Sequence, residues 1–472
     1  MTRRTAVIIP SVLLSLSALT VATPATALGL PTPASKASAS WQRGESVVAG
    51  IDRSSHPLRT ANPTGSLRDL DALGRMLKGT EVVGLGEATH GSRDFFRMKH
   101  RVFRYLVEEK GFRTFSLELP WSSGVRIDEY VVQGKGNLKD IAREEFQGSY
   151  RIWNNQDYID LITWMRDYNL HHRGDPVRFM GDDMGYAGPE LYARVIDHVS
   201  RKYPQLLKRV TELYRGLAPT TDAGTYYAQY LRLPLAERQE RAERTRKVYD
   251  LLRAQHPGPA DKQDHLWMTQ HALAIHQMAR GFAFDLGDED QIAQMMKLRD
   301  QVMAENVEWW LRHTGNRILL SAHNTHVSYD SFDTRYPKTQ GSFLRDALGS
   351  RYASIGFSFY KGSFKAFGAD DNVMRSYHVD GAKPGSNEQT LDKARRDDYI
   401  LDLRTAPEPV RTWLDKERAT WNIGAGWPDP VEYTAALGKA HDILIHLHDI
   451  QATTYLADAG PRQFSTRRSP SA

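Results

Sequence analysis

Read for its hydrophobic and polar positions, the chain alternates short apolar runs of β type with longer segments of helical period. Residues 82–85, 114–117, 177–180 and 318–321 are such runs, and 353–359, 399–403 and 443–447 follow further along. Uninterrupted apolar runs of this length fit strands buried on both faces. Between them, residues 95–110 place Phe95, Met98, Val102, Phe103 and Leu106 on one helical face, and Gly111 stops the pattern. Residues 157–170 behave in the same way. Strands alternating with helices predict an α/β fold with a largely parallel central sheet flanked by helices. Residues 186–315 break the rhythm, with no strand pattern and several helical ones, of which 288–313 is the clearest. They are expected to form a large helical insertion.

The two ends read differently. Arg3 and Arg4 precede an apolar run over 6–21, and Pro24-Ala25-Thr26-Ala27 has the small-x-small form of a signal-peptidase site. The expectation is a signal peptide over 1–27, a flexible Ala/Ser/Pro linker over 28–43, a folded unit over 44–457 and a disordered tail over 458–472. The product would be secreted or extracytoplasmic. No later stretch approaches the roughly 20 apolar residues of a membrane helix, so no stable membrane insertion is expected after cleavage.

Composition narrows the chemistry. The 472 residues include 62 Lys and Arg against 57 Asp and Glu, a net charge of +5, with the signs interspersed as in Glu237-Arg238-Gln239-Glu240-Arg241. Such runs are solvated helix faces, and no basic stripe interleaved with aromatics points to nucleic acid. The chain has no cysteine, which excludes disulfides, thiol nucleophiles and cysteine-based zinc sites. A Gly-x-Ser-x-Gly elbow, a P-loop and a His-Glu-x-x-His helix are all missing.

What remains is a set of ionisable groups where the predicted strands end. Glu87 and His90 follow the run 82–85, Glu118 follows 114–117, Asp182 and Asp183 follow 177–180, and His323 and His326 follow 318–321. Ligands of open parallel sheets bind beyond the carboxyl ends of the strands, so these groups are expected to share a cleft. Each has a bland reading too: Glu87 could cap the following helix, and one of Asp182 and Asp183 could cap a turn. His171-His172 and His446-x-His448 read as polar element ends, and Met295-Met296 with Trp309-Trp310 as the core of a long helix. Taken together, the strand-end groups suit water activation, with histidine accepting a proton and a carboxylate fixing its tautomer. A metal-assisted alternative is open, because His90, His323, His326, Glu87 and Glu118 are competent ligands.

Gly84-Leu85-Gly86-Glu87-Ala88-Thr89-His90-Gly91, followed by Gly111-Phe112 and Phe115-Ser116-Leu117-Glu118, resembles the opening blocks of the erythromycin esterase family. Arg299-Asp300, Met303-Ala304-Glu305-Asn306 and Ala322-His323-Asn324-Thr325-His326-Val327 resemble its second histidine region, and Gly356-Phe357, Gly385-Ser386-Asn387-Glu388 and Ile423-Gly424-Ala425 continue the order. The resemblance implies a hydrolase that opens a lactone or ester, with a macrolide macrolactone among the candidates, without cofactor or required metal. By position, His90 would be the base that activates water beside Glu87. Glu118 and His323 would support or polarise the reacting centre, and His326 and Lys99 would line the site; Asp182, from its place at a strand end, and Arg299 are further candidate substrate contacts. The superfamily also holds metal-dependent proteases and haem-binding lipoproteins, which gives two alternatives: a divalent-metal hydrolase and a haem or small-molecule binder. The oligomeric state is not legible.

Overall fold

The computed structural model describes residues 46–429 and 431–456. The expected signal peptide, linker and tail lie outside the described residues. A ten-stranded sheet organises the chain. In chain order the strands are β1 (His56–Pro57), β2 (Val82–Leu85), β3 (Phe112–Pro120), β4 (Arg178–Asp183), β5 (Arg317–Ser321), β6 (Tyr352–Gly368), β7 (Met374–Val379), β8 (Tyr399–Asp402), β9 (Arg418–Ala419), β10 (Gly426–Trp427), β11 (Thr434–Ala435) and β12 (Ile443–Ile450). The order across the sheet is β1-β8-β12-β6-β2-β5-β3-β4, with β7 and β10 attached to β6, while β9 and β11 pair separately. From β12 to β4 every neighbouring pair is parallel; β8 joins β12 antiparallel at one edge. Parallel pairing requires both faces to be covered, and the uniformly buried β2 meets that need.

Helices cover the sheet as the periodicity predicts. The helix Arg93–Lys110 starts at Ser92, whose Oγ accepts from the Phe95 amide, and stops where Gly111 turns left-handed at φ 72°. The helix Gln156–His171 is capped by Asn155. Between β4 and β5 the described residues form helices and loops only, ending in the helix Glu289–Thr314 with Asp288 as its cap. Its buried residues, including Val199, Val210, Val248, Leu252, Ile275 and Val307, form one cluster with Ile318 and Leu320 of the sheet. Trp121, Trp267, Trp309 and Trp310 pack edge to face where it meets the sheet, and Trp310 donates its indole N–H to Thr114 on β3 at 2.9 Å. Met295 and Met296 are buried, in accordance with a core role for that helix.

Strand β6 is longer than its apolar run. It continues for 17 residues, and its far half pairs antiparallel with β7, which the sequence pattern did not reveal. The reason is physical: β7 lies outside the core, so nothing selects an apolar run there. Gly362 sits where β6 leaves the main sheet, at φ 124°, with no room for a side chain against the Ile450 carbonyl.

Candidate active site

The carboxyl ends of β2, β3, β4 and β5 meet at one edge, and the groups expected there converge. The turn after β2 is held tightly. A side chain at Gly86 would strike Asn324, whose amide pairs with both the N–H and the carbonyl of Phe357 on β6. A side chain at Gly91 would meet the Lys365 backbone. Backbone bonds from Asn324 to the Glu87 carbonyl and from Ile423 to the Ala88 carbonyl tie the turn to the loops after β5 and before β10. Ser92, not Glu87, caps the next helix, so the bland reading of Glu87 is set aside.

Glu87 has no exposed surface and divides its carboxylate between two partners. Its Oε1 accepts from His90 Nδ1 at 2.6 Å, and its Oε2 from Lys99 Nζ at 2.5 Å. A carboxylate can only accept, so the His90 proton sits on Nδ1 and the Nε2 lone pair is left free. Among the described residues that Nε2 makes no hydrogen bond. The imidazole is packed edge-on against Trp153 and lies 5.0 Å from the His323 ring. Lys99 is buried behind Glu87 rather than facing the cleft, and also donates to Ser321 Oγ at 3.0 Å and the Ala322 carbonyl at 3.2 Å. Burial draws its pKa below the usual lysine range, against the pull of Glu87 and Glu118.

Glu118 stands at an irregularity of β3, between the regular pairs of Leu117 and Pro120 with β4. Such bulges re-aim side chains next to sites. Its Oε2 accepts the His323 backbone N–H at 3.2 Å and its Oε1 accepts from Arg299 at 2.7 Å. Burial opposes the charge of Glu118, but His326 and Arg299 outweigh it and hold the carboxyl well below its ordinary range. Arg299 forks onto Asp183 as well, at 2.6–3.1 Å. His326 lies between Asp300, 2.8 Å from its Nδ1, and Glu118, 3.4 Å from its Nε2. Against burial, these two carboxylates raise its pKa well above the ordinary value. Arg299 Nη1 also lies 3.2 Å from His326 Nε2, so the guanidinium and the imidazole sit together beside Glu118. Among the described residues no group of three or more His, Asp or Glu side chains is arranged to hold a metal ion.

His323 is neutral, because burial pushes its pKa well below the usual range. Its Nδ1 accepts from the Thr325 amide and its Nε2 faces the Ile423 carbonyl, so the ring walls the site beside His90. The two strand-end aspartates part ways. Asp183 joins Arg299 and Tyr150, while Asp182 accepts from Gln340 Nε2 at 2.8 Å and does not join Arg299. Burial raises the Asp182 pKa well above the carboxylate range. Asp300 and Trp153 belong to the site although the sequence assigned them no role. Asp300 had a signal in its place beside Arg299; Trp153 had none. His446 and His448 lie apart on β12 and share Asp392.

The erythromycin esterase family profile matches residues 107–450. The chain belongs to the erythromycin esterase family. The matched span starts after the 84–91 turn and takes in Glu118, Arg299, His323 and His326. Among similar members, erythromycin esterase type II of Escherichia coli is 23% identical, the alignment covering 75% of this chain and 88% of that protein. The putative hydrolase YbfO of Bacillus subtilis is 22% identical over 77% and 83%. A crystal structure of a Bacillus cereus protein superposes with a TM-score of 0.78 at 28% identity, over 87% of this chain and 98% of that one. A mutant of the erythromycin esterase EreC in its open conformation gives 0.62 at 17% identity, over 84% and 98%, a likeness of fold. This is an erythromycin esterase-like hydrolase family, with the mixed α/β fold expected of it.

Proposed function

We propose that the protein hydrolyses a carboxylic ester or lactone with water activated by His90. The observation that carries this reading is the Glu87–His90 pair, with Nδ1–H bonded at 2.6 Å and Nε2 free to accept a proton. Water gives a proton to Nε2 as its oxygen bonds to the carbonyl carbon, and the carbonyl electron pair moves onto its oxygen. Glu87 stabilises the imidazolium so formed. Arg299 and His326, held together beside Glu118, are the groups proposed to support the oxyanion. Collapse of the intermediate breaks the bond to the alkoxy oxygen, which takes the proton back from Nε2.

A macrolide macrolactone is a candidate within this class, on the strength of the names of the Escherichia coli relatives. Export fits the signal-like residues 1–27. The test is a panel of esters, lactones and macrolides in ¹⁸O-water with mass detection. One labelled oxygen should enter the acid product, and His90→Asn should slow turnover about 10²–10⁴-fold with an unchanged circular dichroism spectrum. An undiminished rate in that variant would overturn the mechanism.

A further inference from the structure

Gln340, Asp182 and Asp300 have no exposed surface, and Gln340 bonds to both aspartates. It opens the helix Gln340–Leu348. Its main-chain N–H donates to Asp300 Oδ2 at 3.0 Å, and its side-chain Nε2 donates to Asp182 Oδ2 at 2.8 Å. The other oxygen of Asp300 lies 2.8 Å from His326 Nδ1, so Gln340 stands two hydrogen bonds away from that imidazole. The start of its helix is pressed onto the loop that carries His326. Thr339 Oγ1 donates to the Ser328 carbonyl at 2.6 Å, and a side chain at Gly341 would strike the Val327 carbonyl. Asp182 is held from the other side. Asn306 Nδ2 donates to its carbonyl at 2.8 Å, and Asn306 Oδ1 accepts from Gln270 and Gln277 of the helical block.

The Asp182–Gln340 pair is only half closed. Among the described residues Asp182 Oδ1 and Gln340 Oε1 are both buried without a hydrogen-bond partner. Buried polar atoms are nearly always satisfied, so two orphans on one bonded pair call for an explanation. While Asp182 is ionised both oxygens can only accept, and neither can serve the other. A proton on Asp182 Oδ1 removes the conflict. The acid then donates to the Gln340 amide oxygen while the amide N–H donates back, and one proton satisfies both orphans. It also avoids a further negative charge beside Glu118 and Asp183. Burial, together with those two carboxyls, raises the Asp182 pKa in the same direction.

We propose that Gln340 is a positioning residue for His326: clamped to a protonated Asp182, it holds its main-chain N–H on Asp300 and so fixes the carboxylate that orients the imidazole. A carboxylate accepts, so Asp300 keeps the His326 proton on Nδ1 and turns Nε2 toward Glu118 and Arg299. Neither Gln340 nor Asp182 touches substrate, since neither has exposed surface. A fully satisfied buried network of this kind is stiff, which is what a group aimed at a developing charge requires. The bearing on catalysis rests on the hydrolase reading above; the proton on Asp182 and the orientation of His326 do not.

The test uses the full chain. Infrared spectra of ¹³C-aspartate-labelled protein near neutral pH should show the carbonyl band of a protonated carboxylic acid, and Asp182→Asn should remove it. Gln340→Leu and Asp182→Leu should each lower kcat about tenfold with KM unchanged, the loss of one buried hydrogen bond. Asp182→Asn, whose amide donates where the acid did, should restore the rate. The ¹⁵N signal of His326 Nδ1 should move in the leucine variants and return in Asp182→Asn. Gln340→Met, which keeps the length and lacks the donor, gives the same readings where leucine does not fold. No acid band in the parent, or a band that Asp182→Asn leaves in place, overturns the proposal. A His326 signal unmoved by Gln340→Leu or Gln340→Met overturns it too. A moved signal with the acid band present, in a protein that hydrolyses no ester, supports the positioning and sinks only the hydrolase reading. Ester turnover that every variant leaves at the parent kcat overturns the positioning alone.

Discussion

Replacing Lys99 by methionine keeps the unbranched side chain up to its terminal atom and deletes its charge, in a buried place. The ammonium and the Glu87 carboxylate have no exposed side-chain surface and sit 2.5 Å apart. Removing one partner of a buried pair costs about 3–5 kcal/mol, because the other charge stays uncompensated. The Ala322 carbonyl also loses a donor, worth about 1–3 kcal/mol if nothing replaces it. Ser321 keeps Tyr158 at 3.2 Å and should contribute little. Lys99→Met is therefore expected to destabilise by roughly 4–6 kcal/mol, the lower parts of these ranges combined. The Glu87→Gln/Lys99→Met pair removes both charges, and such replacements are near neutral, so the double variant should recover most of the loss. Urea unfolding followed by tryptophan fluorescence measures all three chains and the parent. A loss below about 1 kcal/mol for Lys99→Met would show that Lys99 and Glu87 are not a charged pair. A double variant no better than the single would place the loss in packing, and the electrostatic argument would fail.

Other outcomes follow from the same geometry. Asp182 has a folded pKa raised by burial; its stabilising contribution is complete below the unfolded value of about 3.9 and is lost as pH rises through the folded value. Asp182→Asn should thus be more stable than the parent at pH 7 and lose that advantage toward pH 4; a difference constant with pH in thermal melts would contradict this. Gly124→Ala would place a methyl 2.0 Å from the Gly181 amide nitrogen, backbone against backbone. It should lower stability by about 1–3 kcal/mol or more, read from the urea midpoint, and a neutral result would show that the helix Trp121–Gln133 shifts freely on β4. Prolonged treatment with a chelator should leave ester turnover unchanged. A rate lost on chelation and restored by zinc would redirect the mechanism to a metal.

Much of the sheet was legible because its parallel strands must be apolar throughout. Each of the runs at 82–85, 114–117 and 318–321 lies within a strand. The convergence of the histidines and glutamates was legible for a related reason, since their positions follow from where those strands stop. Side-chain direction was not. Asp182 and Asp183 are neighbours in sequence, yet only Asp183 reaches Arg299, and alternation along a strand decides this only once the register is known. Lys99 was expected to contact the substrate by its place in the family pattern, and it lies buried against Glu87. Trp153 comes from a short 3₁₀ segment with no periodicity to announce it.

The strand order also carries a consequence in time. β2 pairs only with β5 and β6, and β3 only with β5 and β4. The first half of the chain thus emerges from synthesis with a vacant slot in the middle of its sheet, and the residues that fill it arrive after the whole helical block. Until then β2, which carries the Glu87 turn at its end, has no neighbour, and its hydrogen-bonding edges are bare. A slot closed so late makes for slow folding and for nascent chains prone to associate through open edges. Truncations ending before residue 317 should therefore aggregate rather than form a half-sheet, which pulse-labelled translation intermediates can reveal. The same delay reaches the candidate site: His90 and His323 cannot meet before β5 is seated between β2 and β3.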